Sequence, residues 1–445
     1  MKNILKVLSS IIIFFALSQY QAIAQEKLIL NLDKSIQIAL EKNRDLKLAK
    51  LDRDKSYEQI DEAWGSAVLP EINGFVNYRR AIKRGQILIE TPVFTGSFPQ
   101  GSENTLSFGA DLKQPLFTAA VFLAVRVAKT FADISDRAVY STQAELILNV
   151  KKAYYSLLVS REVLDLTKLT LKLAENNLKD VESRYNAGIV PEYDYIRSKV
   201  QVKNILPELD RAENSVKMSV NMLKLILGLD LDADIEVTDT LDYKEIQSTD
   251  LSSSLEMMDE RNFTLQQLKL QMQLQDDAVS YQFSQHFPEL YLNGNYTSTA
   301  QENDPRSFNR WRYINSVYVG LNLKIPIFNG FQTSSKVQQA KIDLYKSQEQ
   351  YEKTSNALNN RLTEIFLSIN EVKSRLEAYS STISEAQLGY DIAEKRYQSG
   401  IGTQLEVIDA LVTLTRSKVD YLSAIYDYYI LNAEHDQLLG VGVVQ

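Results

Sequence analysis

Two carboxylates near the end of the chain have a spacing suited to handling ions. Glu406 and Asp409 are three residues apart on a predicted helix, so both side chains face one side of it. If several copies of the chain met around one axis, these acids would form a ring that favours cations and resists anions. Alternatively, they are solvated residues near a helix N-terminus, where acids are favoured anyway. Their role therefore depends on the assembly of the chain.

The sequence contains few residues that could bind a metal or catalyse a reaction. The run Asp230-x-Asp232-x-Asp234 begins like a calcium loop, but Ile235 and Leu241 occupy the positions where glycine and glutamate are needed. The sequence has no cysteine and only two histidines, which leaves few ligands for a transition metal. No pairing of a nucleophile with a base is visible. We therefore expect no metal site, no cofactor and no enzymatic activity.

The first 24 residues have the features of a cleaved signal peptide. Lys2 and Lys6 precede an apolar run at residues 7–17, and Ala22 and Ala24 stand where a signal peptidase reads small residues. A membrane anchor is the alternative, but the run is shorter than the ~20 residues that cross a bilayer. We expect residues 1–24 to be removed on export.

The rest of the composition narrows the class of protein. No later stretch is apolar enough for a transmembrane helix. The net charge of −8 argues against a nucleic-acid partner. An exported chain without disulfides must be held together by its own core or by assembly with other chains.

The sequence contains an internal duplication. The pattern Lys-x-Pro-[Leu/Ile]-Phe occurs at 113–117 and at 324–328, and Arg-Tyr-x-x-Gly-Ile occurs at 184–189 and at 396–401. An internal repeat indicates that the architecture consists of repeated structural units. We predict a first structural repeat at 25–230, an acidic linker at 231–251 and a second repeat at 252–445. Each repeat reads as helix, β-hairpin, long helix, tight turn and returning helix, with Asp33 as the expected cap of the first helix.

The predicted strands alternate strictly between apolar and polar positions. Every second residue from Val317 to Ile327 is apolar, and the residues between them include Asn322 and Lys324. Segments of this kind suit strands with one lipid-facing and one wet face, as in a membrane barrel. An ordinary antiparallel sheet on a soluble core is the alternative, and the strand pattern alone does not separate the two.

The predicted long helices repeat their apolar residues every 3.5 positions. In the second repeat these residues follow a spacing of 4-3-4-3 from Ile365 to Tyr397, and the first repeat has the same phase from Ala153 to Tyr185. That period indicates packing against partner helices in a supercoil. Four predicted strands per chain cannot close a membrane barrel, and an aqueous interior needs more than the eight strands of two chains. We therefore expect at least three chains.

These features together resemble the TolC-like outer-membrane efflux protein family. The resemblance rests on the motif Leu32-x-x-Ser35-Ile36-x-x-Ala39-Leu40-x-x-Asn43-x-x-Leu46, on the two Pro-[Leu/Ile]-Phe strand ends and on the two Arg-Tyr-x-x-Gly turns. It implies a mixed α and β membrane fold, in which a homotrimer forms a 12-stranded outer-membrane β-barrel continuous with a periplasmic coiled-coil barrel. It also implies a periplasmic adaptor protein, an inner-membrane transporter and outer-membrane lipid as partners.

The same resemblance implies roles for particular residues. Glu406 and Asp409 would form the pore constriction, Asp194 holds the equivalent place in the first repeat, and Tyr397 would help to close the tip. The family's basic latch residue is replaced here by Gly402, which makes a salt-bridge latch at that position doubtful. The expected adaptor-contact tips are Gly188, Ile189, Val190, Gly400, Ile401 and Gly402.

Three functions remain open at this stage. The first is a passive exit duct for small molecules or drugs in a tripartite efflux system. The second is the same duct serving type I protein secretion or metal-ion efflux. The third is a periplasmic coiled-coil scaffold without a pore.

Overall fold

A computed structural model describes residues 28–246, 250–303 and 307–443. The predicted signal peptide, residues 1–24, lies outside these ranges. The chain divides into two compact units. A helical unit is drawn from Met1–Lys47, Thr142–Met258 and Asn360–Gln445, and a sheet unit is drawn from Leu48–Ser141 and Asp259–Asn359.

Eight α-helices lie in the described part of the chain, and two of them are very long. In chain order they are α1 Leu32–Lys42, α2 Arg44–Val68, α3 Ala119–Asn186, α4 Glu192–Leu227, α5 Leu251–Arg261, α6 Phe263–Ser284, α7 Gln332–Gln398 and α8 Gln404–Leu438. With 68 and 67 residues, α3 and α7 are each roughly 100 Å long at 1.5 Å per residue. None of the described helices is long and apolar enough to cross a bilayer.

The strands in the described part of the chain form three separate sheets. They are β1 Leu28–Leu30, β2 Glu71–Arg80, β3 Gln86–Thr91, β4 Phe94–Pro99, β5 Asn104–Phe117, β6 Ile235–Val237, β7 Glu289–Glu302 and β8 Tyr313–Lys324. The main sheet is antiparallel in the order β2-β5-β7-β8. The parallel pair β1–β6 and the hairpin β3–β4 were not predicted from the sequence.

The main sheet has one apolar and one polar face. On β8, Val317, Val319 and Leu321 point to the same side, between 67 and 72 % exposed. The register carries this side across the other strands to Tyr296, Ala110 and Gly74. The opposite side is built largely from polar residues, namely Asn73, Asn77, Ser107, Asp111, Asn293, Asn295, Thr297, Ser316, Asn322 and Lys324.

The start of the first repeat differs from the sequence prediction. Asn31, not Asp33, caps α1, because the Asn31 Oδ1 accepts a hydrogen bond of 2.8 Å from the Lys34 backbone N–H. Asp33 lies inside the first turn, where its negative charge interacts favourably with the helix dipole. The helix then breaks at Asn43, whose side chain donates to the Ile226 carbonyl at 2.9 Å and accepts from the Leu46 N–H at 3.1 Å. One predicted helix is therefore two.

The long helices of the helical unit pack along their predicted apolar residues. Ile365, Ile369, Val372 and Leu376 of α7 are all buried. Further along, the same row joins a core shared by α3, α4, α7 and α8, which contains Ala174, Val181, Ile205, Tyr390, Ala393, Tyr397, Val407, Leu411 and Leu414. This core positions the turns at the ends of α3 and α7.

Part of the predicted acidic linker is tied down. We call residues 238–246 the strap. The Tyr429 hydroxyl donates to the Asp242 carbonyl at 2.6 Å and accepts from the Lys244 N–H at 3.1 Å. The Tyr428 hydroxyl accepts from the Ile246 N–H at 2.7 Å. These contacts hold the strap against α8.

Candidate functional site

Two glycine turns end the long helices in the same way. Gly188 and Gly400 adopt φ angles of 71° and 77°, a conformation that glycine tolerates without strain. In each turn the N–H after the glycine bonds back to an arginine carbonyl, from Ile189 to Arg184 at 2.9 Å and from Ile401 to Arg396 at 3.0 Å. We call the two turns, residues 187–191 and 399–403, with the adjoining helix ends, the tip.

The apolar residues of the turns are unequally exposed. Ile189 and Ile401 are 69 and 74 % exposed, while Val190 packs partly against the shared core. Each helical hairpin therefore ends in one exposed isoleucine.

The acids of α8 lie beyond the second turn. Thr403 caps this helix, because its hydroxyl accepts a hydrogen bond from the Glu406 N–H at 3.3 Å. Glu406 and Asp409 are both exposed, as a shared solvent or pore face requires. The Glu406 carboxylate lies 3.6 Å from the Arg396 guanidinium, whereas Asp409 has no ion pair within the described residues. Within one chain, the charge of Glu406 is therefore partly neutralised by Arg396, and that of Asp409 is not.

Tyr397 lies inside the core and not on the surface of the tip. It is only 5 % exposed, and among the described residues its hydroxyl has no hydrogen-bond partner. Burial raises the pKa of this phenol, and the nearby carboxylate of Asp194 raises it further. The structure thus brings Asp194 and Tyr397 into one neighbourhood, and keeps the phenol neutral.

Arg184 joins the two turns, a contact that the sequence analysis missed. Its guanidinium donates to the carbonyls of Tyr397 at 3.3 Å and Gln398 at 3.0 Å. It also lies over the Tyr397 ring, 5.2 Å from the centroid, and pairs with Asp180 at 3.0 Å. Arg184 is the first residue of the Arg-Tyr-x-x-Gly motif. The motif does not show that Arg184 contacts Tyr397, which is 213 positions away.

The local structure explains why position 402 is a glycine. A Cβ atom added there would come within 3.0 Å of both the Arg396 Cβ and the Tyr397 backbone nitrogen. A basic side chain at this position would therefore require the turn to shift. Within the described residues, no group of three or more metal-ligating side chains could hold a metal ion.

Comparison with known proteins connects this geometry to a family. The family described as "Outer membrane efflux protein" matches residues 35–229 and 255–441. The chain belongs to this family. The resemblance stated from the sequence is confirmed, and the two matched segments confirm the tandem repeat. Membership places the chain in the outer membrane with an extension into the periplasm.

Individual relatives of the family match over most of their length. The chain is 25 % identical to outer membrane protein TolC of Escherichia coli over 446 residues, which cover 98 % of the chain and 87 % of the relative. It is 22 % identical to the toluene efflux pump outer membrane protein TtgC of Pseudomonas putida, with 85 and 76 % covered.

Solved structures share the fold. A membrane protein from Pseudomonas aeruginosa superposes with a TM-score of 0.78 at 19 % identity, covering 94 % of this chain and 92 % of the other. The CmeC outer membrane channel of Campylobacter jejuni gives 0.77 at 17 % identity, covering 93 and 86 %. The predicted mixed fold of helices and strands is confirmed.

Proposed function

We propose that three copies of this chain form the exit duct of a tripartite efflux system, through which small molecules leave the cell passively. The observation that supports this most directly is the main sheet, which has two opposite faces and two open edges. Because relatives in the family carry names such as toluene efflux pump outer membrane protein, small apolar or drug-like compounds are the proposed cargo.

The open edges indicate how the sheet is completed. Within the described residues β2 and β8 each pair on one side only. An unpaired strand edge in lipid costs several kcal/mol for each unsatisfied backbone group. Three copies, joined from β8 of one to β2 of the next, remove every edge and give a 12-stranded barrel. The apolar faces then meet lipid, and the polar faces line water.

The strand length fits a membrane. β8 has 12 residues, or about 40 Å when extended, and a tilt of about 40° reduces its height to roughly 30 Å. An outer-membrane barrel needs an apolar band of about 25 Å. A periplasmic scaffold without a pore would leave the apolar face in water, so the duct is favoured over it.

In the proposed assembly, the acids and the glycine turns have separate tasks. Glu406 and Asp409 from three chains would supply six carboxylates around the pore, with Asp194 and Tyr397 nearby. Gly188, Ile189, Val190, Gly400, Ile401 and Gly402 would meet the periplasmic adaptor, which links the duct to an inner-membrane transporter. The duct would not act as an enzyme, because transport is passive and the energy belongs to the transporter.

The test compares two variants with the same added charge on opposite faces. Val319→Lys puts a cation on the apolar face of β8, where it costs about 2–4 kcal/mol near the bilayer centre. Asn322→Lys puts the same cation on the polar face. We expect Val319→Lys to abolish trimers in the outer membrane, and Asn322→Lys to assemble and conduct in a planar bilayer with reduced cation preference.

Light scattering corrected for detergent gives the number of chains, and single-channel recording shows the pore. A wild-type monomer in mild detergent, an absence of conductance, or equal tolerance of the two lysines would each refute the proposal.

A further inference from the structure

The connection between β2 and β5 contains an amphipathic hairpin. In β3 and β4, Ile87 lies opposite Phe98 and Ile89 lies opposite Gly96, so that these residues share one face with Phe94. The other face is mostly polar, and on it the Ser97 hydroxyl donates to the Gln86 side chain at 2.6 Å. Leu88 and Pro99 are the apolar residues of that second face, so the larger apolar cluster lies on the first face.

Within the described residues, the apolar face of the hairpin is partly exposed to solvent. Ile87, Ile89, Phe94 and Phe98 are each between 43 and 51 % exposed. The two rings lie 5.8 Å apart. The Phe94 ring also lies over Gly96 and fills the space that a Cβ atom there would need. The aromatic groups are thus organised into a surface on a folded hairpin and are not scattered along a loop.

Cations lie between this hairpin and the apolar face of the main sheet. Arg80 is the last residue of β2. It lies on the apolar side of the sheet, the same side as Tyr78 and Val76. Lys83 follows in the connection. Both are exposed and have no ion pair within the described residues, whereas Arg84 lies 3.7 Å from Glu103. The segment that joins β2 to β3 therefore carries exposed positive charge next to the apolar side of the sheet.

The end of the apolar face below them is aromatic. Tyr78 packs against Phe308 with ring centroids 5.8 Å apart, Phe308 against Trp311 at 4.8 Å, and Phe108 against Tyr313 at 5.6 Å. Aromatic side chains of this kind collect at the level of lipid headgroups. Along β2 and its connection to β5, the aliphatic residues of the sheet are therefore followed by aromatic residues, exposed cations and the hairpin with its apolar face.

From this order we propose that the β3–β4 hairpin lies on the membrane surface and binds anionic lipid. Its apolar face would enter the acyl-chain boundary, and Arg80 and Lys83 would bind the phosphate groups of the lipids around it. Lipid is favoured over a second copy of the chain because the cations adjoin the surface, and three copies would bring these like charges together. This inference rests on the proposed membrane sheet but concerns a separate contact.

The test uses a chain that has no natural cysteine. Single cysteines are introduced at Phe98 on the apolar face and at the adjacent Ser97 on the polar face, and an environment-sensitive fluorophore is attached to each. Trimers are reconstituted in vesicles of phosphatidylcholine and phosphatidylglycerol. We expect the probe at Phe98→Cys to emit further to the blue and to be quenched by spin-labelled lipid. The probe at Ser97→Cys should be quenched by aqueous iodide.

The charge contribution has a matched control one residue away. Arg79 lies on the polar face, whereas Arg80 lies on the apolar face. Each cation near an anionic surface strengthens lipid binding by about fivefold. We expect Arg80→Gln to lower the preference of the Phe98 probe for spin-labelled phosphatidylglycerol over phosphatidylcholine by about that factor. Arg79→Gln should leave the preference unchanged.

Several results would overturn the inference. If trimers conduct but both probes are quenched by iodide, the hairpin stands in water and the duct proposal is unaffected. If the Phe98 probe is shielded from lipid and iodide, and pyrene attached there forms excimers, a second copy covers the face. Equal effects of Arg79→Gln and Arg80→Gln would remove the role of Arg80. Failure of the wild-type chain to form conducting trimers would instead count against the proposed function.

Discussion

The guanidinium of Arg184 lies 5.2 Å from the centre of the Tyr397 ring and donates to the Tyr397 carbonyl at 3.3 Å. The two residues belong to different repeats, so this contact fastens one helical hairpin of the tip to the other. Charged hydrogen bonds of this kind contribute about 1.5–3 kcal/mol each. Arg184 therefore adds charged hydrogen bonds to the apolar core that the two hairpins share.

Arg184→Gln should therefore loosen the contact between the two turns of the tip. The substitution removes the ion pair with Asp180 and the charged bonds to both carbonyls of the second turn. We expect trimers of normal yield with a higher open probability in single-channel recording. Arg211→Gln is the matched control, because among the described residues Arg211 pairs with Glu208 of its own helix and with no other acid. Unchanged gating in the Arg184 variant would show that the tip is held elsewhere.

Glu406→Ala combined with Asp409→Ala should weaken cation preference and relieve block by trivalent cations. Six carboxylates around one axis raise the local cation concentration, and a narrow space of low dielectric strengthens their effect. Single-channel recording measures both properties. Asp210→Ala with Glu213→Ala is the control, since these residues form an exposed acidic pair with the same spacing on α4. If both double variants behave alike, Glu406 and Asp409 are ordinary surface acids.

Tyr429→Phe should release part of the strap. The substitution removes the hydroxyl bonded to the Asp242 carbonyl and the Lys244 N–H, and leaves a backbone group without its partner. We expect faster hydrogen exchange at Lys244 and a loss of about 1–2 kcal/mol in stability. Exchange followed by mass spectrometry measures the first effect. Tyr421→Phe should leave exchange in the strap unchanged, and an equal response to both would contradict the assignment.

Glu434 should make the helical unit sensitive to acid. Its carboxylate contacts Lys152 at 2.9 Å and Arg361 at 2.6 Å. Burial alone raises the pKa of Glu434, but these hydrogen bonds prevail and the folded pKa lies below 4.5. The stability it contributes is therefore complete above pH 4.5 and is lost as pH falls through the folded pKa.

The measurement is thermal unfolding of Glu434→Gln and wild type at neutral pH and in acid. We expect the variant to be less stable by about 1–3 kcal/mol at neutral pH, and the two curves to converge in acid. Glu364→Gln is the control, because Glu364 pairs with the same Arg361 at the surface. A difference that persists in acid would assign the effect to packing.

Periodic features were predictable because they depend on neighbouring residues. The alternation around Val319, the row of buried residues through Ile369 and the turns at Gly188 and Gly400 all follow from spacings of a few positions. The apolar face of the sheet could therefore be read from single strands. The tandem repeat was visible because two copies of one pattern can be compared directly.

Contacts between distant residues were not predictable in this way. Arg184 and Tyr397 are joined only after both turns are built, and the pairing of Glu406 with Arg396 depends on how the second turn closes. Asn31 and Asp33 are equally good capping residue types, so the sequence does not distinguish them. The β3–β4 hairpin is hard to predict from the sequence, since its strands are short and its proline and glycine residues suggest irregular structure.

The unpaired edges of β2 and β8 also affect how the protein is made. A newly exported chain carries both edges and a broad apolar sheet face through an aqueous compartment before it meets its partners. Such surfaces pair readily with one another in the wrong order, and misassembly rises with concentration. Assembly into the trimer then competes with aggregation. Periplasmic holding factors and the rate of synthesis, more than the stability of the finished duct, would decide its yield.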